Sequence, residues 1–457
     1  MGEMKAYLEQ HRERHLEDLK ALLRIPSVST DPAHGGDVRA AAGWLKERFA
    51  AMGFDVAIHE TARHPIVYAE HMGAGPQAPT VLVYGHYDVQ PPDPLELWVT
   101  GPFEPTVRDG RLHARGATDD KGQMIAHVLA AEAHLALNGK LPLNLKFLVE
   151  GEEEIGSPNL APYVEARREA LAADAVVISD TSMFAPGMPA IVYGLRGLAY
   201  FEVEVQGPGH DLHSGLFGGA VANPINTLCS LIASLKDEAG RVRVEGFYDD
   251  VRALTEQERA AWAALPFDEE KFRDSCGAPK MVGEEGFTTL ERSWGRPTLD
   301  CNGILGGFVG QGAKTVLPSK AMAKFSCRLV PDQGSEDIGA KIKAHFEAHA
   351  PEGVKVEVRE LHGGNPVIVN AEGVAVGAAR AALAEAFGSD AVLIRSGGSI
   401  PVVSDFSAIL GIPVVLMGFG LPDDRLHSPN EKIDLDCFFG GIVASARFME
   451  LFAATRG

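Results

Sequence analysis

Residues 79–88 read Pro-Thr-Val-Leu-Val-Tyr-Gly-His-Tyr-Asp. The run Pro79–Tyr84 is apolar and β-rich, which predicts a buried strand. It exits into Gly85-His86-Tyr87-Asp88, so an imidazole and a carboxylate stand where the strand ends. One intervening residue lets His86 bind a metal while Asp88 orients it from behind. Two more strands end the same way. Leu143–Val149 exits into the acids Glu150, Glu152, Glu153 and Glu154, and Ala175–Ser179 exits into Asp180. Helical periodicity over 3–23, 37–52 and 121–137 separates or precedes these strands. Strands alternating with helices predict a mainly parallel, helix-covered sheet, an α/β fold whose ligands bind at the carboxyl ends of the strands.

The pattern changes near residue 195. Residues 198–206 and 320–330 alternate apolar and polar, as strands exposed on one face do. Helices are predicted at 221–236 and 335–349 and a strand at 354–361, while 240–300 has no clear period. After 370 the first style returns, with a helix at 371–387, a strand at Val414–Met417 and a final helix at 434–453. The expected architecture is an α/β domain, 1–193 and 371–457, interrupted by a smaller inserted α+β domain, 194–370. A chain of 457 residues has room for both.

Composition narrows the function. Hydrophobic residues make up 46 % and charged residues 23 %, a globular profile. The net charge of −20 repels phosphate backbones and anionic membranes, which argues against both as partners. Five cysteines without a CxxC give neither a disulfide framework nor a thiolate zinc site and fit a reducing cytoplasm. No run approaches eighteen consecutive apolar residues.

Two further polar clusters stand out. Arg115-Gly-Ala-Thr-Asp119-Asp120-Lys121-Gly122 precedes a helix, where two acids could also serve as an N-cap. Asp424-Arg-Leu-His427 comes after the last strand. His, Asp, Glu, Asp and His thus converge on one sheet edge. That donor set suits zinc or manganese better than magnesium or calcium, and a shareable Asp suits two metals.

GHYDV (85–89), RGATDDKG (115–122), GEEEIGS (151–157), the Asp after VVIS (176–179) and HSPNE (427–431) together resemble the dinuclear metallopeptidase family. That family includes carnosinase, cytosolic non-specific dipeptidase, acetylornithine deacetylase and succinyl-diaminopimelate desuccinylase. GPGHDLHSGLFGG (207–219), TVLPSKAMAKFSCRLVP (315–331) and SGGSIPV (396–402) bring it nearest the dipeptidase branch. The resemblance implies a metal-dependent dipeptidase acting on short peptides with a free C-terminal carboxylate. An N-acyl-amino-acid deacylase or amidase is the alternative.

It further implies two Zn2+ or Mn2+ ions, with Asp119 bridging, His86 and Glu154 completing one metal, and Asp180 and His427 the other. Two divalent ions bring four positive charges and Asp119, Glu154 and Asp180 three negative ones, which leaves one for a bridging hydroxide. Asp88 would hold His86. The residues alone leave Glu152, Glu153 and Glu154 open as the general base, and the resemblance selects Glu153. His213 would polarise the scissile carbonyl across a homodimer interface. Arg328 would bind the substrate carboxylate, with Thr315, Gly398 and Ser399 as further substrate contacts.

Overall fold

A computed structural model describes residues 2–398 and 400–456. Two compact units emerge, one running to Tyr193 with Val369–Ile394 and the chain from Val402, the other Gly194–Ile368 with Arg395–Pro401. The sequence places the junctions at 193/194 and 370/371. The structure departs from that division in two respects: residues 369–370, expected in the inserted domain, belong to the first unit, and Arg395–Pro401, expected in the catalytic part, belongs to the second. The reason for the latter is local charge. Arg395 pairs with Glu258 and lies over the Trp262 ring, and Arg196 Nε donates to Gly397 O.

The first unit is built on a sheet whose central strands are parallel. Asn144–Glu150 pairs with Thr80–His86, Thr80–His86 with Ala175–Ile178, and Ala175–Ile178 with Val414–Leu416. Ile66–His71 and Asp55–His59 extend one side antiparallel, and Ala190–Leu195 begins the other. Every residue of Asn144–Glu150 is buried, as a strand covered on both faces requires.

Helices Gly35–Ala51, Lys121–Asn138, Val374–Phe387 and Leu435–Ala453 contribute to this core. The predicted 3–23 helix is divided at His11 into Gly2–Gln10 and Arg12–Leu23. The last helix is long and apolar enough to cross a membrane, but it packs on Val374–Phe387 and Lys121–Asn138 with most of its side chains buried.

The second unit holds a four-stranded antiparallel sheet ordered Thr298–Gly306, Lys320–Leu329, Gly197–Gln206, Lys355–Gly364. Odd-numbered residues of the two central strands face Pro224–Ser234 and Ser335–His349 and form the core. Even-numbered ones, including Arg328, are half-buried on the opposite face. The edge strand Thr298–Gly306 escapes sequence reading because Asp300–Leu305 are all exposed, so no alternation marks it, and a bulge lies between Cys301 and Gly303.

Candidate metal centre

Parallel register sets which side chains meet. Tyr84 stands opposite Ile178, so His86 and Asp180, each two residues further on, end level on adjacent strands. His86 stands opposite Glu150, which puts Glu154 a further four residues along, in the turn Glu153–Ile155. There Gln90 Nε2 donates to Glu154 Oε2 at 2.7 Å.

Asp119 lies between two imidazoles. Its Oδ1 is 3.1 Å from His86 Nε2 and its Oδ2 is 3.0 Å from His427 Nε2. Ligand atoms of His86, Asp119 and Asp180 lie within 4.8 Å of one another, as do those of Asp119, Glu154 and His427. The five predicted ligands therefore come together with Asp119 shared. The pairing differs from the expectation: His86 goes with Asp180, and Glu154 with His427. Strand register explains the correction, because His86 and Asp180 leave neighbouring strands at one level. The two triads also differ in access, since the His86 side chain is fully buried and that of His427 is 57 % exposed.

The surrounding hydrogen bonds fix this geometry. His86 Nδ1 is 3.0 Å from the Asp88 carbonyl oxygen and 3.4 Å from its Oδ1. The Asp88 carboxylate also accepts the N–H groups of Glu153 (3.2 Å) and Glu154 (3.1 Å). One buried acid thus orients a ligand imidazole and the turn carrying the predicted base.

Glu152 is consumed elsewhere, accepting from Thr61 Oγ1, His64 N and Asn159 Nδ2 at 2.6–2.7 Å, which removes it as a base. Asp120 occupies the N-cap position but makes no side-chain cap bond, and its Oδ2 accepts from His86 N at 3.2 Å. The capping role the sequence allowed is therefore not the one observed.

Sequence reasoning missed Glu431. It is fully buried, and its carboxylate accepts Arg115 Nη1 (2.7 Å), Gly116 N (3.0 Å), Thr118 N (3.0 Å) and Asp119 N (3.1 Å). It clamps the loop that presents the shared ligand. Its place in HSPNE, four residues after His427, was the signal that could have found it. Asn430 braces the same segment, accepting from Val99 N at 2.9 Å and donating to Leu97 O at 2.7 Å.

Electrostatics state what the site lacks. Burial raises Glu154 to about 10 and Asp180 to about 7, and the nearby Asp119 charge adds to both. Burial also pushes Glu153 well up, with Asp180 and Asp119 adding and His86 opposing. Asp119 is the exception: burial would raise it, but hydrogen bonds and charge from His427 and His86 hold it well below the usual carboxylate range. A cluster of mutually repelling carboxylates with two imidazoles suits divalent cations, and the donor set fits two of them.

Other predicted residues belong to the second unit. His213 is exposed, pairs in register with Val316, and its Nδ1 accepts Gly215 N at 3.0 Å. Thr315 is its neighbour across the strand pair, where its carbonyl accepts Ser214 N at 3.1 Å. Arg328 is half-buried on the sheet face away from the helices. The Gly398 carbonyl accepts Arg196 N at 3.2 Å. Ser399 lies outside the described residues.

Two imidazoles and three carboxylates meeting beside the ends of a parallel sheet, with one carboxylate shared, make a candidate two-metal site of the kind hydrolases use. The sequence profile of peptidase family M20/M25/M40 matches residues 82–451, and the chain belongs to this metallopeptidase family, hydrolases of peptide bonds. Human Beta-Ala-His dipeptidase is 38 % identical over 460 residues, covering 97 % of this chain and 90 % of that protein. The Cys-Gly metallodipeptidase dug1 of Schizosaccharomyces pombe is 35 % identical over 464 residues, covering 98 % and 97 %. The solved structure of the dipeptidase Dug1p from Saccharomyces cerevisiae superposes with a TM-score of 0.87 at 32 % identity, covering 99 % of this chain and 98 % of that one.

Proposed function

We propose that the chain is a metal-dependent dipeptidase that hydrolyses dipeptides or short peptides with a free C-terminal carboxylate. The observation that carries this reading is Asp119 shared by two ligand triads, with the half-buried Glu153 in the adjoining turn. Relatives named for Cys-Gly and Beta-Ala-His dipeptides support the substrate class. His86, Asp119 and Asp180 would hold one cation and Asp119, Glu154 and His427 the other, Zn2+ or Mn2+ by the chemistry of the donors. When bound, such ions supply Lewis acidity and lower the pKa of water toward ~7.

Glu153 does the proton work. It takes a proton from the attacking water and returns it to the leaving amine. Asp88 keeps it in place through the Glu153 N–H. Arg328 binds the substrate carboxylate, and Thr315, Gly398 and Ser399 contact the substrate.

His213 polarises the scissile carbonyl from the partner subunit of a homodimer. Its exposure supports a role toward another chain, as does an open edge strand carrying exposed Ile304 and Leu305, with Leu216 and Val309 also exposed. Exposed free thiols at Cys229, Cys276 and Cys301 favour the reducing cytoplasm.

The test is a panel of dipeptides, dipeptide amides and N-acyl amino acids assayed with Zn2+ and with Mn2+. Turnover confined to unblocked dipeptides supports the reading. Turnover of N-acyl amino acids alone replaces it with the deacylase alternative.

A further inference from the structure

Arg196 connects Ala190–Leu195 to Gly197–Gln206 in the second unit. Two of its groups hold one turn. Its Nε donates to Gly397 O at 3.0 Å and its main-chain N–H donates to Gly398 O at 3.2 Å. The fit is close: a Cβ built at Gly397 would stand 2.9 Å from Arg196 Nη2 and 2.9 Å from the Ser293 carbonyl oxygen. Glycine is required there because the carbonyl is backbone and cannot yield.

The guanidinium is poorly compensated. Its Nη1 is buried without a hydrogen-bond partner among the described residues. Burial, and then the like charge of Arg328, lower its pKa to about 10. The acid acting on it, Asp300, is exposed and held by Lys236 at 3.1 Å. Arg395, by contrast, has Glu258 as a direct partner.

Strand alternation puts Leu198 and Tyr200 on the face that carries Arg328, which stands opposite Leu198. His362, opposite Tyr200, stacks on its ring at 5.0 Å and 15°. Arg196 and Arg328 are like charges that act on one another, and an anion placed against both relieves that repulsion.

We propose that Arg196 is a positioning and specificity-determining residue for the substrate carboxylate, holding the Gly397–Gly398 turn while adding a second fixed positive charge beside Arg328. This rests on the reading of Arg328 as the carboxylate-binding residue. A purely structural pin needs only a donor for Gly397, which a glutamine also offers. The charge requirement is what separates the two roles.

The experiment compares L-alanyl-glycine with L-alanyl-glycinamide on the metal-loaded protein, using Arg196→Gln, Arg196→Lys and Arg328→Ala. Arg196→Gln is expected to raise KM for the free acid about tenfold to a hundredfold, the range of a charge-assisted contact, and to leave KM for the amide within about threefold. Arg196→Lys restores the charge and is expected to recover part of the loss, with kcat little changed. Metal content and thermal midpoint check that each variant is folded, and Arg196→Lys keeps the test open if Arg196→Gln is not. Equal losses on acid and amide, or no loss on either, overturn the role of Arg196. If Arg328→Ala discriminates and Arg196→Gln does not, only this inference falls. If Arg328→Ala also fails to discriminate, the carboxylate reading falls with it.

Discussion

Replacing Glu431 by Gln removes one charge and almost no volume, yet it breaks two of the four hydrogen bonds that the carboxylate accepts. Each oxygen of Glu431 serves two donors: Oε1 takes Thr118 N and Asp119 N, and Oε2 takes Arg115 Nη1 and Gly116 N. An amide keeps only one of those oxygens as a competent acceptor. In either orientation two donors then face an NH2 group, and the Arg115 guanidinium, itself buried, loses its counter-ion. Breaking a buried pair in this way costs about 3–5 kcal/mol.

The effect on the metal centre is separable from that on the fold. Asp119 N is one of the four donors, so the shared ligand loses its backbone anchor. Loss of such outer support weakens metal binding about 10- to 100-fold. Competition against a chelator measures the affinity, and urea unfolding of the metal-free protein measures the stability. Arg115→Met leaves Glu431 charged and buried, so it too destabilises. The double variant removes both members together and should cost less than the two single changes added. A Glu431→Gln protein that binds Zn2+ within about threefold of the parent and unfolds at the same urea concentration refutes the clamp.

Three other outcomes are expected. Glu153→Gln should keep its metal, by elemental analysis, and lose at least ~10²-fold in kcat, the scale of a general base; near-normal turnover would remove Glu153 from that role. His213→Ala should be inactive, and mixing it with Glu153→Gln should restore part of the activity after subunit exchange, since some mixed dimers hold one intact site; no recovery counts against action across an interface. Metal binding at pH 7 should release more than one proton: besides His86, which hydrogen bonds to Asp119 and Asp88 raise against its burial, Glu154, at about 10, is protonated without metal and Asp180, at about 7, is half so. Both acids are raised above their ordinary values, so the release shrinks as pH rises from 7 toward 10, which calorimetry in buffers of different ionisation enthalpy reads out. Zero release at pH 7 would contradict the charge crowding.

The ligands were legible because parallel strands end abruptly and give way at once to polar residues. His86, Glu154 and Asp180 each come a few residues after an apolar run. Their pairing was not legible, because it depends on which strands are neighbours and at what register, and chain order is silent on both. Thr80–His86 lies between Asn144–Glu150 and Ala175–Ile178, and only the level match of His86 with Asp180 decides the partner. The Glu431 clamp was hidden for a similar reason: its donors lie more than 300 residues away in the chain. The return of Arg395–Pro401 to the second unit was hidden because it turns on single contacts, Arg395 with Glu258 and Arg196 with Gly397, and not on any period.

The acids themselves complete the argument for a metal site. Away from it, several charges in the first unit are matched. Lys432 Nζ meets Asp423, Asp424 and Asp434 at 2.7–2.9 Å, and Glu431 has Arg115 and three N–H groups. Glu132 is held by Arg14 and Arg48. At the ends of the parallel strands the rule is broken: Glu153, Glu154 and Asp180 are all displaced upward by burial and by neighbouring carboxylate charge. Unlike Glu431 and Glu132, these three are left with a need that two imidazoles do not meet. Divalent cations meet it, and they do so where Asp119, alone among these acids, is held in its charged form by a histidine on either side. The net charge of −20 carries none of this information. The deficit that matters is local, and it is set by strand register.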